Sequence, residues 1–221
     1  MPIAFFSETL KKAGIRHGFS TRSASREEIG GMVGAAFEDL RSVKQVHSAR
    51  VVDVGAGAIE SEEADAIVSR RDAPITIRTA DCVPILVADI SSGAVAAIHA
   101  GWRGVVSGVI PNAIEMLARD RSNVIAAIGP CIGACCFEVG VDVAEKIASA
   151  SDASIITRQV GEKAFVDLRR AVRIQLTRLG VADSNIENVA GCTYCEKELF
   201  FSYRRDGANA GRLIAVIAPR R

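Results

Sequence analysis

Short apolar runs separated by Gly, Pro, Asp and Ser recur along this chain. Several runs are apolar at consecutive rather than alternate positions, which is typical of strands whose two faces are both covered. Runs of this length that are rich in Val and Ile predict β-strands at residues 50–54, 65–69, 75–79, 83–89, 94–99, 123–129 and 212–218. The pattern therefore predicts an α/β fold, with helices layered around the β-sheets.

Apolar residues at helical spacing predict helices elsewhere in the chain. The clearest stretch is 168–179, which follows Asp167, a residue type that caps helix N-termini. It precedes Gly180, which suits the left-handed position after a helix. A second stripe covers residues 106–117, where Pro111 is expected either to begin the helix or to kink it.

A third helix is expected to follow Gly140, with Val143 and Ile147 on its apolar face. Neither an internal repeat nor a Pro- or Ser-rich linker divides the chain, so we expect residues 1–221 to form a single domain. No apolar run approaches the roughly 18 residues that span a bilayer, and the N-terminus lacks the pattern of a signal peptide. A cytoplasmic location is therefore expected.

The charge balance excludes binding that depends on a strong overall field. The chain has 27 Lys and Arg against 26 Asp and Glu, a net charge of +1, so we expect neither nucleic acid nor a membrane as partner. Any anion site must be local. Six cysteines without a signal peptide are expected to be reduced thiols, available as core residues, nucleophiles or metal ligands.

Three segments place reactive residues at the ends of predicted strands: KQVHS with His47, TADCVP with Cys82, and AAIHAGWRG with His99. Cys82 precedes one strand and His99 closes the next, so a hairpin across residues 90–93 would bring them together. With His47 they would form a set of two imidazoles and one thiolate, which suits Zn²⁺ and leaves a fourth position open. The alternative is that they are hydrogen-bonded or apolar core residues.

A second metal site is possible among the remaining cysteines. Cys192 and Cys195 form a C-x-x-C pair that Cys131 could complete together with Cys135 or Cys136. Four thiolates would make a closed, structural zinc site. A single C-x-x-C also occurs by chance, so the sequence leaves this alternative open.

Arginines beside glycines or aromatic residues are candidates for binding an anionic reactant, because a guanidinium group matches phosphate or carboxylate in two-point fashion. The alternative for any one of them is an ordinary structural ion pair. The candidates are Arg22, Arg103, Arg204, Arg205 and Arg212.

Two aspartates adjoin the candidate metal ligands. Asp81 precedes Cys82 and Asp65 begins a predicted strand, so either could orient a ligand imidazole or accept a proton. Each could equally cap a turn. The sequence does not choose between these roles.

The chain resembles the YfiH or laccase-domain family, also called the multicopper polyphenol oxidase-like or peptidoglycan editing factor family. The resemblance implies a fold similar to cytotoxic-necrotizing-factor-type cysteine hydrolases, with layered helices around mixed sheets. It also implies that His47, Cys82 and His99 hold the metal. The shared motifs run in order from about residue 16 to the C-terminus: HGFSTR, KQVH, ADAIV, TADCVPILVAD, AAIHAGWRG, IGPCIG, FEVG, VDL, CT and FFSYRRDG.

The resemblance implies a purine nucleoside phosphorylase that acts on adenosine, inosine, guanosine and methylthioadenosine, with adenosine deaminase activity. The partners would be a nucleoside and phosphate; the oligomeric state stays open. For deamination, zinc would activate water to attack adenine while Asp81 moves protons, and the arginines would hold phosphate for phosphorolysis. Zinc is expected rather than copper, because three histidines cannot supply several copper sites.

Two other functions remain open at this point. Cys82 could be a nucleophile activated by His99, in a hydrolase that edits a UDP-muramyl peptidoglycan precursor. The chain could also be a non-catalytic module that holds a metal. Between FSTR and KQVH the family usually carries a longer segment than residues 23–43, so a pocket-closing loop, and with it the substrate specificity, can differ here.

Overall fold

The computed structural model of the chain describes residues 1–56, 60–71 and 73–220. Strands and short helices alternate through these ranges. The strands are β1 (Ala4–Phe5), β2 (His17–Ser20), β3 (Val51–Asp53), β4 (Ala66–Ser69), β5 (Ile75–Thr79), β6 (Val83–Asp89), β7 (Val95–Ala100), β8 (Val124–Ile128), β9 (Glu138–Gly140), β10 (Ile156–Val160), β11 (Lys163–Val166), β12 (Ile186–Asn188) and β13 (Leu213–Ile217). The α-helices are α1 (Glu8–Lys12), α2 (Arg26–Gly31), α3 (Trp102–Ser107), α4 (Val109–Leu117), α5 (Val141–Ala150), α6 (Leu168–Arg178) and α7 (Tyr203–Asp206).

The strands form mixed and antiparallel sheets. The largest has six strands in the order β12-β8-β6-β7-β4-β3, and its two edge pairs, β12 with β8 and β3 with β4, are parallel. A four-stranded antiparallel sheet has the order β1-β2-β13-β5, and a three-stranded antiparallel sheet has the order β10-β11-β9. The α/β class and the mixed sheets predicted for the chain are confirmed.

The six-stranded sheet is covered on both faces. On one face, Ile85 and Val87 of β6 belong to a core that also contains the apolar residues of α3 to α6. On the other face, Leu86 and Ala88 pack into a second core with β5 and β13 of the four-stranded sheet. This double coverage explains why β6 is apolar at consecutive positions.

The helix predictions are confirmed in place but not in every boundary. Asp167 caps α6 by accepting a hydrogen bond from the Arg170 amide at 2.9 Å, and Gly180 follows the helix with a left-handed φ of 92°. The stripe predicted at residues 106–117 is two helices, because Gly108 takes a left-handed φ of 92° and ends α3. Pro111 lies in the first turn of α4, where its missing N–H has no partner to lose.

The strands missed from the sequence are short or solvent-facing. β2 reads HGFS, without an apolar run, and β10 is exposed over most of its length. Such strands take their conformation from pairing with neighbours, so local apolar patterning does not show them. Among the described residues, no helix is long and apolar enough to span a bilayer.

Candidate functional site

A hairpin brings Cys82 and His99 to one end of the largest sheet. β6 and β7 pair antiparallel with Pro84 opposite His99, and Cys82 lies immediately before β6. His47 approaches from the loop before β3, and its Nε2 atom lies 3.9 Å from the Cys82 Sγ atom. The candidate ligand atoms of the three residues all lie within 4.8 Å of one another. We call this group the His-Cys-His cluster.

The buried carboxylate of Asp65, at the start of β4, organises both imidazoles of this cluster. Its Oδ1 atom contacts the His99 Nδ1 atom at 2.8 Å and accepts a hydrogen bond from the His47 amide at 2.9 Å. Its Oδ2 atom accepts hydrogen bonds from the amide and hydroxyl of Ser48. Because Asp65 occupies Nδ1 of His99, the Nε2 atom is the one available to a metal.

The same contacts shift the ionisation of the cluster in the metal-free chain. Burial raises the pKa of Asp65, but hydrogen bonds from His99 and Ser48 outweigh it and lower the pKa to about 2. Burial also raises the pKa of Cys82, yet its two imidazole neighbours lower the pKa to about 6. Burial lowers the pKa of His99, but hydrogen bonds to Asp65 and Cys82 raise it to about 9. Cys82 is therefore predisposed to be a thiolate, the form that binds a metal or attacks a carbonyl group.

Two residues at the site have a left-handed backbone that non-glycine residues rarely adopt: His47 with φ 62° and Asp81 with φ 86°. Asp81 accepts hydrogen bonds from the Thr193 hydroxyl at 2.6 Å, the Arg204 amide at 2.6 Å and the Ser202 hydroxyl at 3.1 Å. Both of its carboxylate oxygens are thus engaged. The geometry favours a positioning role for Asp81 over the proton transfer expected from the sequence.

Gly101, which follows β7, allows the close approach of two ligands. A Cβ atom at this position would lie 2.9 Å from the His47 Cδ2 atom and 3.1 Å from the Cys82 Sγ atom. Both distances are shorter than normal carbon contacts, so a side chain here would push the ligands apart. The glycine of the HAGWRG motif is therefore part of the site's geometry.

The His-Cys-His cluster lines a cavity of about 770 Å³. A cavity of this size is in the range that binds small organic ligands. Aromatic side chains supply one part of its wall: Trp102, Phe137 and Tyr203. Basic side chains supply another: Lys44, Arg78, Arg103, Arg204 and Arg212. The site therefore combines a possible metal centre with apolar surfaces and a concentration of positive charge.

The structure separates the five arginines singled out in the sequence. Arg103, Arg204 and Arg212 line the cavity, whereas Arg22 and Arg205 do not. The Arg22 guanidinium donates to the Lys197 carbonyl at 2.6 Å and stacks on an aromatic ring. The Arg205 guanidinium is bound by backbone carbonyls and by the carboxylate beside it in sequence. These two arginines hold loops in place.

Arg78 is a cavity residue that the sequence analysis missed. It is the one exposed position of β5, and its charge within an otherwise apolar strand was the available signal. Among the described residues, the guanidinium groups of Arg78 and Arg103 have no hydrogen-bond acceptor, although Arg103 lies 4.7 Å from the ring of Trp102. Arg204 and Arg212, in contrast, donate to backbone carbonyls.

A second group of metal-ligating residues lies outside the lining of the cavity. Its members are Cys135, Cys136, Cys192 and Cys195, which we call the four-cysteine cluster. Cys131, which the sequence analysis considered as a member, is instead fully buried, and its Sγ atom accepts a contact from the Arg169 guanidinium at 3.5 Å. Burial raises the pKa of Cys131 to about 11. It is a core residue.

Comparison with known proteins gives consistent matches. The family model described as multi-copper polyphenol oxidoreductase laccase matches residues 21–220. The protein named adenosine deaminase RL5, from an unknown prokaryotic organism, is 37% identical over 201 residues, covering 84% of this chain and 77% of that protein. Purine nucleoside phosphorylase YfiH of Escherichia coli strain K12 is 37% identical over 180 residues, covering 79% and 72%. The crystal structure of the Bacillus licheniformis hypothetical protein YfiH superposes with a TM-score of 0.89 at 24% identity, covering 100% and 97%, and shows the fold.

Proposed function

We propose that this chain, which belongs to the multi-copper polyphenol oxidoreductase laccase family, is a zinc-dependent enzyme of purine nucleosides in the cytoplasm. Its main reaction is phosphorolysis of adenosine, inosine, guanosine and methylthioadenosine, and its second is deamination of adenosine. The names of its relatives support this reaction class. The observation that carries the proposal is the convergence of His47, Cys82 and His99 beside a cavity with aromatic and cationic walls.

The donor set of the His-Cys-His cluster fits Zn²⁺. Two imidazoles and one thiolate are a zinc combination that leaves one position open, and Asp65 orients His99 as carboxylates orient zinc-bound histidines. A bound Zn²⁺ supplies a Lewis acid and can activate water at neutral pH. Several copper sites would need more imidazoles than the three histidines of the chain provide.

The walls of the cavity suit the two parts of a nucleoside phosphorolysis. Trp102, Phe137 and Tyr203 offer ring surfaces on which a purine can stack. The uncommitted guanidinium groups of Arg78 and Arg103 can bind phosphate in two-point fashion. They would hold phosphate for attack at C1′ of the ribose and reduce its charge repulsion with other anionic groups.

The products of adenosine turnover test this proposal. Metal-replete protein is incubated with adenosine, with and without phosphate, and the products are separated by chromatography. Phosphorolysis yields adenine only when phosphate is present, whereas deamination yields inosine in either case. We expect both products, with adenine predominating in phosphate. Absence of both from a metal-replete sample would overturn the proposal.

Substitutions in the cavity separate the two reactions. Because Arg78 and Arg103 are proposed to bind phosphate, Arg78→Gln and Arg103→Gln should each raise the KM for phosphate about tenfold or more and change deamination little. Arg22→Gln is the matched control, because Arg22 is an arginine outside the cavity. An equal effect of all three substitutions would remove the phosphate site from the proposal.

The geometry also favours a second candidate, a cysteine hydrolase that edits a peptidoglycan precursor. Asp65, His99 and Cys82 follow one another in contact, as the groups of a Cys-His-Asp arrangement do. Release of an amino acid from a UDP-muramyl precursor, blocked by thiol alkylation and insensitive to chelators, would favour this candidate. Metal binding without turnover of either substrate class would instead indicate a non-catalytic, metal-holding module.

A further inference from the structure

We propose that the four-cysteine cluster is a second metal site, which binds one Zn²⁺ through four thiolates and has a structural role. Its ligands are Cys135 and Cys136 from the first cysteine loop (residues 129–137), and Cys192 and Cys195 from the second cysteine loop (residues 189–202). The four thiols release their protons to solvent when the ion binds. The site would fasten the two loops to each other.

The spacing of the sulfur atoms matches a tetrahedral zinc site. The Sγ atom of Cys135 lies 3.5 Å from that of Cys136, 3.7 Å from that of Cys192 and 3.7 Å from that of Cys195. Cys136 and Cys195 are 3.3 Å apart, and all four sulfur atoms lie within 4.8 Å of one another. A tetrahedron with Zn–S bonds of about 2.3 Å has sulfur–sulfur edges of about 3.8 Å. Small side-chain movements would complete such a site.

The same spacing argues against other reasons for the cluster. The sulfur–sulfur distances exceed the roughly 2.05 Å of a disulfide bond. Cys135 and Cys195 are exposed, so burial of apolar surface does not account for their assembly. Four sulfur atoms this close surround one ion, whereas in an iron–sulfur cluster the cysteines bind different iron atoms. Four protein ligands also leave no open position for a substrate.

Backbone contacts fix the two loops before any ion binds. Cys131 and Cys192 form an isolated β-bridge, and the Thr193 amide donates to the Cys131 carbonyl at 3.0 Å. The Gly133 amide donates to the Sγ atom of Cys192 at 3.2 Å, a contact that stabilises a thiolate. A Cβ atom at Gly133 would lie 3.2 Å from the Cys135 Sγ atom and 3.3 Å from that of Cys192, so glycine leaves room for the sulfur atoms.

The two loops also carry parts of the cavity wall, which gives the site its consequence. Ile132 and Phe137 of the first cysteine loop line the cavity, and the second cysteine loop leads directly into Tyr203 and Arg204. The Arg204 guanidinium donates to the Glu138 carbonyl at 2.9 Å, just after the first loop. An ion that joins the loops would therefore hold two sides of the cavity in register.

Metal counting on the intact chain tests the proposal. The chain is purified under reducing conditions with zinc supplied, and native mass spectrometry gives the number of ions per chain. We expect two Zn²⁺, one in each cluster. Replacement by Co²⁺ should give thiolate-to-cobalt charge-transfer absorption well above that of a site with one thiolate, because one of the two sites has four.

Variants assign each ion to its cluster. Cys192→Ser and Cys195→Ser should each lose one ion and most of the charge-transfer absorption, while the ion of the His-Cys-His cluster stays. His47→Asn should show the converse. Cys131→Ala is the matched control, because it removes a nearby thiol that lies outside the cluster, and it should keep both ions.

Several results would overturn the assignment, and none depends on the fold of a variant. They are a single Zn²⁺ per intact chain with zinc in excess, iron in place of zinc, or a mass loss of two hydrogens with thiols that resist alkylation, which identifies a disulfide. Because the metal count uses no substrate, its failure would leave the proposed enzymatic function untouched. Failure of the nucleoside assay would likewise leave this site intact.

Discussion

The His-Cys-His cluster and the four-cysteine cluster use the same kind of sulfur donor in opposite ways. In the first, one thiol stands with two imidazoles at a cavity, and a buried carboxylate orients one of the imidazoles. In the second, four thiols face one another between two loops, with backbone amides around them. The first can leave a position open for a reactant, whereas the second cannot. Donor type and surroundings, rather than the presence of cysteine, therefore separate a reactive site from a structural one.

The largest difference between the clusters should follow from removing a ligand of the first. His47→Asn takes away one imidazole, while asparagine tolerates the left-handed backbone found there. Phosphorolysis of adenosine should fall by more than about 100-fold, because the metal is lost or displaced. Steady-state kinetics and metal counting on the same sample check this. Unchanged activity with one ion lost would show that the cavity works without its metal.

The carboxylate that orients His99 should have the next largest effect. Asp65→Asn keeps the shape of the side chain but replaces a charged acceptor by a neutral amide. Zinc affinity at the His-Cys-His cluster or activity should fall about 10- to 100-fold. Titration with a competing chelator measures the affinity. The ion of the four-cysteine cluster should be held as in the wild type, and weakening of both sites would indicate general damage to the fold.

A matched pair of glycine substitutions should give a smaller but reciprocal effect. Gly101→Ala places a methyl group against His47 and Cys82, and Gly133→Ala places one against Cys135 and Cys192. Because either neighbouring set must move by a few tenths of an ångström, each variant should weaken its own site about tenfold and spare the other. Zinc competition on both variants checks this. If both variants weakened the same site, the two clusters would not be independent.

A carboxylate remote from both clusters supplies the smallest effect and a baseline. Glu187 of β12 binds the N-terminal turn of α1, accepting hydrogen bonds from the Ser7 hydroxyl at 2.7 Å and the Thr9 amide at 2.8 Å. Burial raises its pKa, but these bonds outweigh it and lower the pKa from 4.5 to about 2. The charged form therefore stabilises the fold above pH 4.5, and this contribution is lost as the pH falls towards 2.

Glu187→Gln should accordingly reduce the free energy of unfolding by about 2 kcal/mol at pH 7. The difference from the wild type should shrink as the pH falls towards 2, since the wild-type carboxyl group then takes up its proton. Urea unfolding at a series of pH values measures it. Metal content and activity should not change, and a constant difference across the series would contradict the charge as its cause.

The sequence predicted the parts of the site that depend on regular strands. Two apolar runs joined by a short turn place Cys82 and His99 at one end of a hairpin, whatever the loops do. The motif resemblance then pointed to His47. Arg78 was missed because the strand that carries it was read only for its apolar residues, although one charged position stood among them.

The loop residues could not be placed in the same way. Cys135 and Cys136 are adjacent in sequence, and nothing local indicates that both face Cys192 and Cys195 while Cys131 is buried. That arrangement depends on a bridge between segments far apart in the chain. Asp81 gives the same lesson, because its role is set by donors from the distant loop that ends at α7.

The two ends of the four-cysteine cluster enclose a large part of the chain. Cys135 and Cys195 are 60 positions apart, and β9 to β12 with α5 and α6 lie between them. An ion that grips both ends would act as a cross-link, which removes conformational entropy from the unfolded chain. By the relation used for disulfides, closing a loop of this size stabilises the folded state by about 4 kcal/mol. Loss of the ion would therefore loosen the enclosed segment as a unit, and faster amide hydrogen exchange there would reveal it.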